Sequence, residues 1–181
     1  DILSPQDSQR TIRAYEVVKQ TGRVFQVGTQ QRSEMGHKFL LAVALAHSGR
    51  LGKIENVSAA IGGTPNGGPF KVSDPPAEFD WEMWQGQAAE QEYIRERAHA
   101  NFRWWYEYSG GQMTDWGAHH MDIAQWAINS LPVEISGTAQ YPTVADGFNV
   151  ATDFHVNYKY ANDVVMTVAD TGRNGILFTG D

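Results

Sequence analysis

A strict alternation of apolar and polar side chains near the end of the chain restricts the fold more than any other feature. Between residues 153 and 160, every second side chain is apolar, namely Phe154, Val156, Tyr158 and Tyr160. This period of two predicts a β-strand with one buried face and one solvated face. Asn162 and Asp163 follow the strand and predict a hairpin turn into the next apolar stretch, Val164–Ala169.

Helix signals dominate the first part of the chain, and strand signals dominate its last part. We predict helices over residues 4–20, 34–48 and 111–129, and a helical turn over 80–84. We predict strands over residues 24–28, 54–61, 133–141, 152–160, 164–169 and 175–179. This order indicates an α+β fold in which helices lie on one face of a C-terminal, open, mostly antiparallel sheet. The first helix and the strand after it have the order of half a βαβ unit.

Composition and charge exclude several classes of protein. A chain of 181 residues accommodates one full domain, or one domain and part of another. The formal net charge is −7 and no cluster of Lys and Arg is present, so we expect neither nucleic acid nor anionic membranes as partners. No apolar run reaches the ~20 residues needed to cross a bilayer. The absence of cysteine excludes a thiol nucleophile and a Cys-ligated zinc.

The two ends of the sequence look like cuts. The chain begins at Asp1 rather than Met, and it stops at Asp181 directly after a strand-like run. We therefore expect a fragment that is truncated at both ends, with an unpaired sheet edge after Thr179 that favours aggregation. We expect a cytoplasmic location, and an exported form stays open because an upstream targeting signal would be missing from this sequence.

One segment, residues 110–126, combines acidic, imidazole and glycine residues. Asp115, His119 and Asp122 are spaced i, i+4 and i+7, which places them on one stripe of a helix. A carboxylate one turn away from an imidazole orients the ring and fixes its tautomer, as a general base working near neutral pH requires. Gly110 and Gly111 allow close approach of another backbone or of a ligand at the helix start.

Two other interpretations of the segment remain open. In the first, the Asp and His side chains only cap the helix and pair with their neighbours. In the second, His119, Asp115 and either Asp122 or His120 bind Zn, Mn or Fe. However, His120 points about 100° away from His119 on the same helix, and no other cluster of His, Asp and Glu is evident, so we expect no metal.

The segment and its flanks resemble the Gfo/Idh/MocA family of oxidoreductases, named after glucose–fructose oxidoreductase, inositol dehydrogenase and rhizopine catabolism. Residues 115–122 match its D-x-G-x-H-x-x-D motif, and D-W-E-M-W-Q-G at 80–86 is similar to its D-W-x-x-W-x-G stretch. Residues 21–32 look like the last helix–strand step of its Rossmann domain. The resemblance covers nearly the whole chain. It implies that residues 1–33 end an NAD(P)-binding Rossmann domain and that 34–181 form an incomplete substrate and oligomerisation domain.

The resemblance also implies an activity. The family transfers a hydride from a hydroxyl-bearing carbon of a sugar, polyol or glycoside to NAD or NADP, and its members commonly form homo-oligomers. His119 would act as the acid/base, and Asp115 would hydrogen-bond the substrate and tune the proton relay. Further candidates for contacts with substrate or cofactor, or for support of those that make them, are Arg32, Arg103, Asp122 and Trp105.

Departures from the family pattern limit what this chain is expected to do alone. Its sequence contains neither the family's G-x-G-x-x-G turn nor its E-K-P lysine. The Gly-rich stretch 62–68 contains Pro65 and leads into Pro69 instead of a helix, so it does not fit a phosphate-binding loop. We therefore expect the isolated chain to lack dehydrogenase activity and tight NAD binding.

Two alternative functions stay open. The same fold hosts NAD-dependent glycoside hydrolases and lyases, but those carry a different His-containing loop, so Asp115 with His119 favours simple oxidoreduction. The chain is alternatively a non-catalytic binding or dimerisation module.

Overall fold

The computed structural model describes residues 5–181. Two compact units make up the chain: the first ends at Gln30, and the second is Gln31–Asp181. In the first unit, helix α1 (Pro5–Thr21) ends before Gly22, whose φ of 63° is the left-handed conformation that follows many helices. Helix α1 confirms the helix predicted over residues 4–20, and the first residue of that prediction, Ser4, lies outside the described residues.

The strand predicted over residues 24–28 does not form, which corrects the sequence interpretation. Residues 23–29 have no regular secondary structure, and Val24 is 98% exposed. A strand is stabilised by hydrogen bonds to a neighbouring strand, and no strand within residues 5–181 pairs with this segment. Apolar composition alone indicated the strand, but it does not provide the partner that a strand requires.

The second unit is built around one five-stranded sheet. Its strands are β1 (Ile54–Ala60), β2 (Pro132–Gln140), β3 (Asp153–Tyr160), β4 (Val165–Ala169) and β5 (Gly175–Gly180). They lie in the order β2-β3-β4-β1-β5, and every neighbouring pair is antiparallel except β1 with β4. The sheet is open, with β2 and β5 at its edges, so the predicted open and mostly antiparallel sheet is confirmed.

The alternation in β3 separates the two faces of the sheet as its sequence predicts. Phe154 and Tyr160 are buried, whereas Asp153 and Lys159 are exposed on the opposite face. The chain then turns at Asp163, whose φ is 70°, and the Tyr160 amide donates to the Val164 carbonyl at 2.9 Å. This turn closes the hairpin that joins β3 to β4.

Three further helices belong to the second unit: α2 (Lys38–His47), α3 (Trp81–Gln85) and α4 (Trp116–Ile128). Helix α4 lies on the apolar face of the sheet, where Ala124 and Ile128 share one core with strand residues such as Val168. Helix α2 packs against α4 from outside, with Val43 of α2 in the same core as Ile123 of α4. The sheet, α4 and α2 therefore form successive layers, and helices lie on one face as predicted.

Helix α2 is shorter than the helix predicted over residues 34–48. Met35, Gly36 and His37 all have positive φ values and form a separate tight turn before the helix begins at Lys38. Non-glycine residues adopt this conformation only when their surroundings impose it, so composition does not reveal such a helix start. None of the helices in residues 5–181 combines the length and apolar character of a membrane span.

The long segment between β1 and α4 is mostly irregular and shares a second core with the loop between β2 and β3. The buried side chains of this second core are Ile94, Trp104, Trp105, Phe148 and Val150. Short 3-10 turns at Arg95–Arg97, His99–Trp104 and Gly111–Met113 carry the chain towards the start of α4. This core therefore fixes the position of the residues that precede the D-x-G-x-H-x-x-D motif.

Candidate active site

The start of α4 is anchored to the end of β1. The Gln112 side chain donates from Nε2 to the Ile61 carbonyl at 2.7 Å, and the Gln112 amide donates to Thr64 Oγ1 at 3.3 Å. Gly111 has a φ of 70°, and a Cβ at this position would lie 2.8 Å from Cγ2 of Val150. Only glycine fits this turn without displacing its neighbours.

The predicted stripe of Asp115, His119 and Asp122 is only partly helical. Residues 111–113 form a 3-10 turn, and α4 begins at Trp116, so Asp115 is the residue that precedes the helix. Its φ of −89° and ψ of −91° are not helical, and its carboxylate makes no capping hydrogen bond. The direction of the Asp115 side chain is therefore set by the non-helical turn before α4, whereas His119 and Asp122 both lie within α4.

The Asp115 carboxylate is held by Arg103. The Nη1 atom of Arg103 lies 2.6 Å from Oδ2 of Asp115, and both side chains are partly exposed, at 34% and 26%. The guanidinium is itself fixed, because its Nε donates to the Ala100 carbonyl at 2.9 Å and its Cζ lies over the Trp104 ring, 4.8 Å from the centroid. Asp115 is thus a charge-paired carboxylate, and its second oxygen, Oδ1, accepts no hydrogen bond from residues 5–181.

A second arginine holds the other carboxylate of the motif in the same way. Arg32 donates from Nε and Nη2 to the two oxygens of Asp122, at 2.7 and 2.6 Å. Its guanidinium lies 4.9 Å from the centroid of the Trp126 ring, which belongs to the same helix as Asp122. The hydrogen bond to Asp122 raises the pKa of Arg32 above its usual value, so this arginine keeps its charge.

His119 lies between these two ion pairs along the chain. Its side chain is partly exposed, and within the described residues it forms no hydrogen bond or ion pair, including with Asp115. The sequence-based expectation that Asp115 orients the imidazole directly is therefore not met in this structure, because Asp115 turns to Arg103. His119 therefore keeps its hydrogen-bonding capacity for groups other than the described side chains.

The neighbouring His120 has a structural role. It is buried, and its Nδ1 lies 3.1 Å from the Trp116 carbonyl, so Nδ1 carries the proton that this acceptor requires. The Phe39 ring meets the imidazole edge-on at 6.2 Å. Burial lowers the pKa of His120 and keeps the ring neutral.

Trp105 lies in the protein interior and offers no surface to a ligand. It is 1% exposed, its indole N–H donates to the Glu96 carbonyl at 2.8 Å, and Arg97 lies 4.5 Å from its ring centroid. This placement corrects its inclusion among the candidate contact residues. A tryptophan beside a motif is as suited to filling a core as to binding a substrate, and the sequence does not separate the two roles.

Among residues 5–181, no group of three or more His, Asp or Glu side chains is arranged to hold a metal ion. The carboxylates of the motif point to arginines, and His120 is hydrogen-bonded within its own helix. A pocket of about 620 Å³ opens elsewhere, on the solvated face of β1, β4 and β5, and none of the motif residues lines it.

Sequence reasoning missed three residues of the site. Trp104 and Trp126 stack on the two arginines, and Gln112 ties the motif to the end of β1. Trp126 follows Asp122 by four residues, so helical spacing already places it beside that carboxylate. No comparable signal identifies Trp104 or Gln112, since their partners are set by the tertiary fold.

Comparison of the sequence with profiles of protein families gives one match. Residues 67–177, more than half of the chain, match the Gfo/Idh/MocA profile described as the C-terminal α/β domain of an oxidoreductase family. No curated protein sequence matches the chain significantly.

Solved structures share the fold of the chain at low sequence identity. An aldose–aldose oxidoreductase from Caulobacter crescentus, complexed with glycerol, has a TM-score of 0.63 and 15% identity; the match covers 97% of this chain and 43% of that protein. The WlbA dehydrogenase from Bordetella pertussis, in complex with NADH and UDP-GlcNAcA, has a TM-score of 0.61 and 15% identity, with 97% and 46% covered.

An NAD-binding protein from Listeria innocua is similar to the same extent, with a TM-score of 0.61, 15% identity and coverage of 96% and 41%. The chain thus spans less than half the length of each of these proteins. At such identities the likeness establishes the shared fold.

Proposed function

The chain belongs to the Gfo/Idh/MocA oxidoreductase family, and on that premise we propose that it is the substrate-binding part of an NAD(P)-dependent oxidoreductase acting on a sugar, polyol or glycoside. Residues 1–33 would end its Rossmann domain, and residues 34–181 would form the substrate domain. One observation carries the proposal. His119 is partly exposed and unpaired within the described residues, whereas the carboxylates on both sides of it each bind an arginine.

The charge pairing supports His119 as the group that takes the proton. Asp115 and Asp122 are each neutralised by a guanidinium, so protonating either carboxylate would break an ion pair. The His119 imidazole gives up no interaction with another described residue when it accepts a proton. It is therefore the group suited to remove the proton from a substrate hydroxyl, which leaves a carbonyl once the carbon has lost its hydride.

Asp115 is suited to hold the substrate. Arg103 fixes one of its oxygens, Oδ2, and the other oxygen can accept a hydrogen bond from a hydroxyl of the sugar. A carboxylate that stays ionised is an acceptor only, so it orients a hydroxyl without competing for the transferred proton. The pair Asp115 and His119 thus divides binding and proton transfer between two side chains.

The described residues fit the substrate side of the reaction and not the dinucleotide side. The Gly-rich stretch 62–68 leads into Pro69 without a helix, so no helix N-terminus is available there for a pyrophosphate. A nicotinamide, when bound, accepts the hydride. We propose that the groups binding the dinucleotide belong to the Rossmann domain of the protein.

The test is an oxidation assay of the complete protein with aldoses, polyols and aryl glycosides, each with NAD and with NADP. We expect reduced cofactor to accumulate with at least one sugar or polyol. Release of the aryl alcohol without net reduction of cofactor would instead indicate the glycoside hydrolase or lyase chemistry, and no reaction with any substrate would indicate a non-catalytic module. The isolated 181-residue chain is expected to bind neither dinucleotide at micromolar concentration.

Self-association and a cytoplasmic location remain predictions. Light scattering of the purified protein measures the first, since a homo-oligomer has a mass that is a multiple of the chain mass. Fractionation of cells measures the second.

A further inference from the structure

A group of aromatic side chains outside the motif forms a continuous surface, which we name the Trp84 cluster. Its members are Phe79, Trp81, Trp84, Phe102 and Tyr108. The Trp81 and Trp84 rings are stacked, with centroids 5.0 Å apart and planes inclined by 13°. Tyr108 meets Trp84 edge-on at 5.1 Å, and Phe102 meets it edge-on at 6.3 Å. These contacts join residues from three separate stretches of chain around one indole.

The Trp84 cluster differs from the buried cores of the second unit. Trp104 and Trp105, which follow Phe102 closely in sequence, are almost fully buried, whereas every member of the cluster remains partly exposed. Tyr108 touches the edge of one buried core, and Trp81 and Phe79 contact the buried ring of Tyr93. The rings of the cluster thus pack on the protein and still keep part of their surface in contact with water, as expected of aromatic side chains that meet a ligand at their exposed part.

The cluster is held rigid by polar contacts at its rim. Asp80 caps α3 by accepting the Met83 amide at 2.9 Å, and the Trp81 indole N–H donates to the Gln91 carbonyl at 2.8 Å. Oε1 of Gln85 accepts from the Gln91 amide at 2.8 Å and from the Tyr108 hydroxyl at 3.3 Å. A surface fixed in this way loses little conformational entropy when a ligand binds.

Two hydrogen-bond donors beside the rings have no protein partner. Within residues 5–181, the Trp84 indole N–H and the Gln85 side-chain NH2 donate to no group, and neither nitrogen is among the buried unsatisfied atoms. A pyranose ring presents an apolar C–H face and a rim of hydroxyl oxygens. An aromatic platform with free N–H donors at its edge matches both parts of such a ring.

The cluster and the proposed catalytic residues share one structural element. The 3-10 turn His99–Trp104 carries Phe102, which contacts Trp84, and Arg103, which binds Asp115. Consecutive Cα atoms are about 3.8 Å apart, so a single turn links the aromatic platform to the Asp115 carboxylate.

We propose that the Trp84 cluster is a second sugar subsite, which binds a pyranose ring linked to the ring that is oxidised. This inference rests on the proposed function and narrows its substrate class to disaccharides and larger glycosides. The cluster supplies stacking and N–H donors, and Arg103 holds the neighbouring Asp115 in place for the ring that reacts.

The test compares a free aldose with a disaccharide that carries the same aldose at its reacting end. For Trp84→Ala we expect KM for the disaccharide to rise about tenfold, in the range that loss of one stacked ring produces, and KM for the aldose to stay within about twofold. Trp84→Phe, which keeps a ring and lacks the N–H, should show an intermediate rise. Met83→Ala is the matched control, since Met83 lies on the same short helix and is 79% exposed.

Equal changes for both substrates, or an unchanged KM for the disaccharide, would overturn the subsite. If the melting temperatures of the variants lie within a few degrees of the wild type, the changes in KM reflect binding and not unfolding. If no substrate is oxidised, the proposed function fails, and a titration of tryptophan fluorescence with the disaccharide still decides the inference. Binding that weakens in Trp84→Phe and not in Met83→Ala supports the subsite, whereas identical titrations of all three proteins refute it.

Discussion

The guanidinium of Arg103 lies 2.6 Å from the carboxylate of Asp115, twelve residues later in the chain, and its Cζ lies over the Trp104 ring. Arg32 and Asp122 form a second ion pair of the same kind, and Arg32 lies over the Trp126 ring. Two carboxylates of the motif are therefore charge-paired, and the imidazole between them in sequence has no such partner in the part of the chain that the structure describes.

Replacing Arg103 tests whether it positions Asp115. We expect Arg103→Gln to lower kcat/KM for oxidation by roughly tenfold or more, because Asp115 loses the contact that fixes its Oδ2 oxygen. The free energy of unfolding should fall by less than about 1 kcal/mol, since the pair is partly exposed to solvent. Arg103→Lys keeps the charge but not the planar contact with Trp104, and it should recover part of the activity. A merely structural role would be indicated if the free energy of unfolding fell by as many kcal/mol as the activation free energy derived from kcat/KM rose.

The pair formed by Arg32 and Asp122 is suited to a double-mutant cycle. We expect Arg32→Ala and Asp122→Ala to show a coupling of about 0.5–1 kcal/mol in urea unfolding, because the contact is bidentate yet partly exposed. The control cycle uses Lys159 and Glu134, a cross-strand pair at 2.8 Å whose side chains are both more than half exposed. That cycle should give a coupling near zero. Equal couplings in the two cycles would show that the bidentate geometry adds nothing.

His120 gives the stability of the protein a pH dependence of defined sign. Burial lowers the pKa of His120 in the folded state below its ordinary value of 6.5, so the unfolded chain binds more protons in this region. The contribution of the neutral ring is fully present above pH 6.5 and is lost progressively as the pH falls below that value. We expect His120→Asn, which keeps a donor near the position of Nδ1, to flatten this part of the profile of unfolding free energy. His155→Asn, on the solvated face of β3, is the control that leaves the slope in place.

The packing of α4 between the sheet and α2 is expected to dominate stability. Ile123 is completely buried in the core shared with α2, so Ile123→Ala should lower the free energy of unfolding by about 2–5 kcal/mol. Leu41→Ala removes a side chain of α2 that is 60% exposed, and its effect should stay within about 0.5 kcal/mol. Denaturant unfolding of both variants measures the difference. A small effect at Ile123 would mean that α4 is held by other contacts.

The sheet was predictable because its signals are local. The alternation in β3 and the turn at Asp163 are encoded in adjacent residues, and the structure contains both. The parallel pairing of β1 with β4 was not predictable, because it joins strands more than one hundred residues apart. A strand also depends on a partner that composition does not reveal. Residues 24–28 have the composition of a strand, but no strand among the described residues pairs with them.

The sequence selected candidate site residues by type and spacing, but it did not predict their contacts. The spacing of Asp115 and His119 selected both residues as candidates. It also predicted that they share one stripe of a helix, which would require a continuous helix from residue 111, whereas α4 begins at Trp116. The left-handed φ of Gly111 and the hydrogen bond from Gln112 to Ile61 interrupt that helix, and they are set by the approach of β1. Arg32 lies 90 residues before Asp122, so no local pattern connects them.

The role of His119 as the proton acceptor is tested most directly by the rate of oxidation in His119→Asn, measured beside the wild type and His155→Asn at saturating substrate and cofactor. We expect kcat to fall by about 10²–10⁴-fold in His119→Asn and to stay unchanged in His155→Asn, with the fold of both variants intact by circular dichroism. A His119→Asn protein that retains the wild-type kcat would contradict the account.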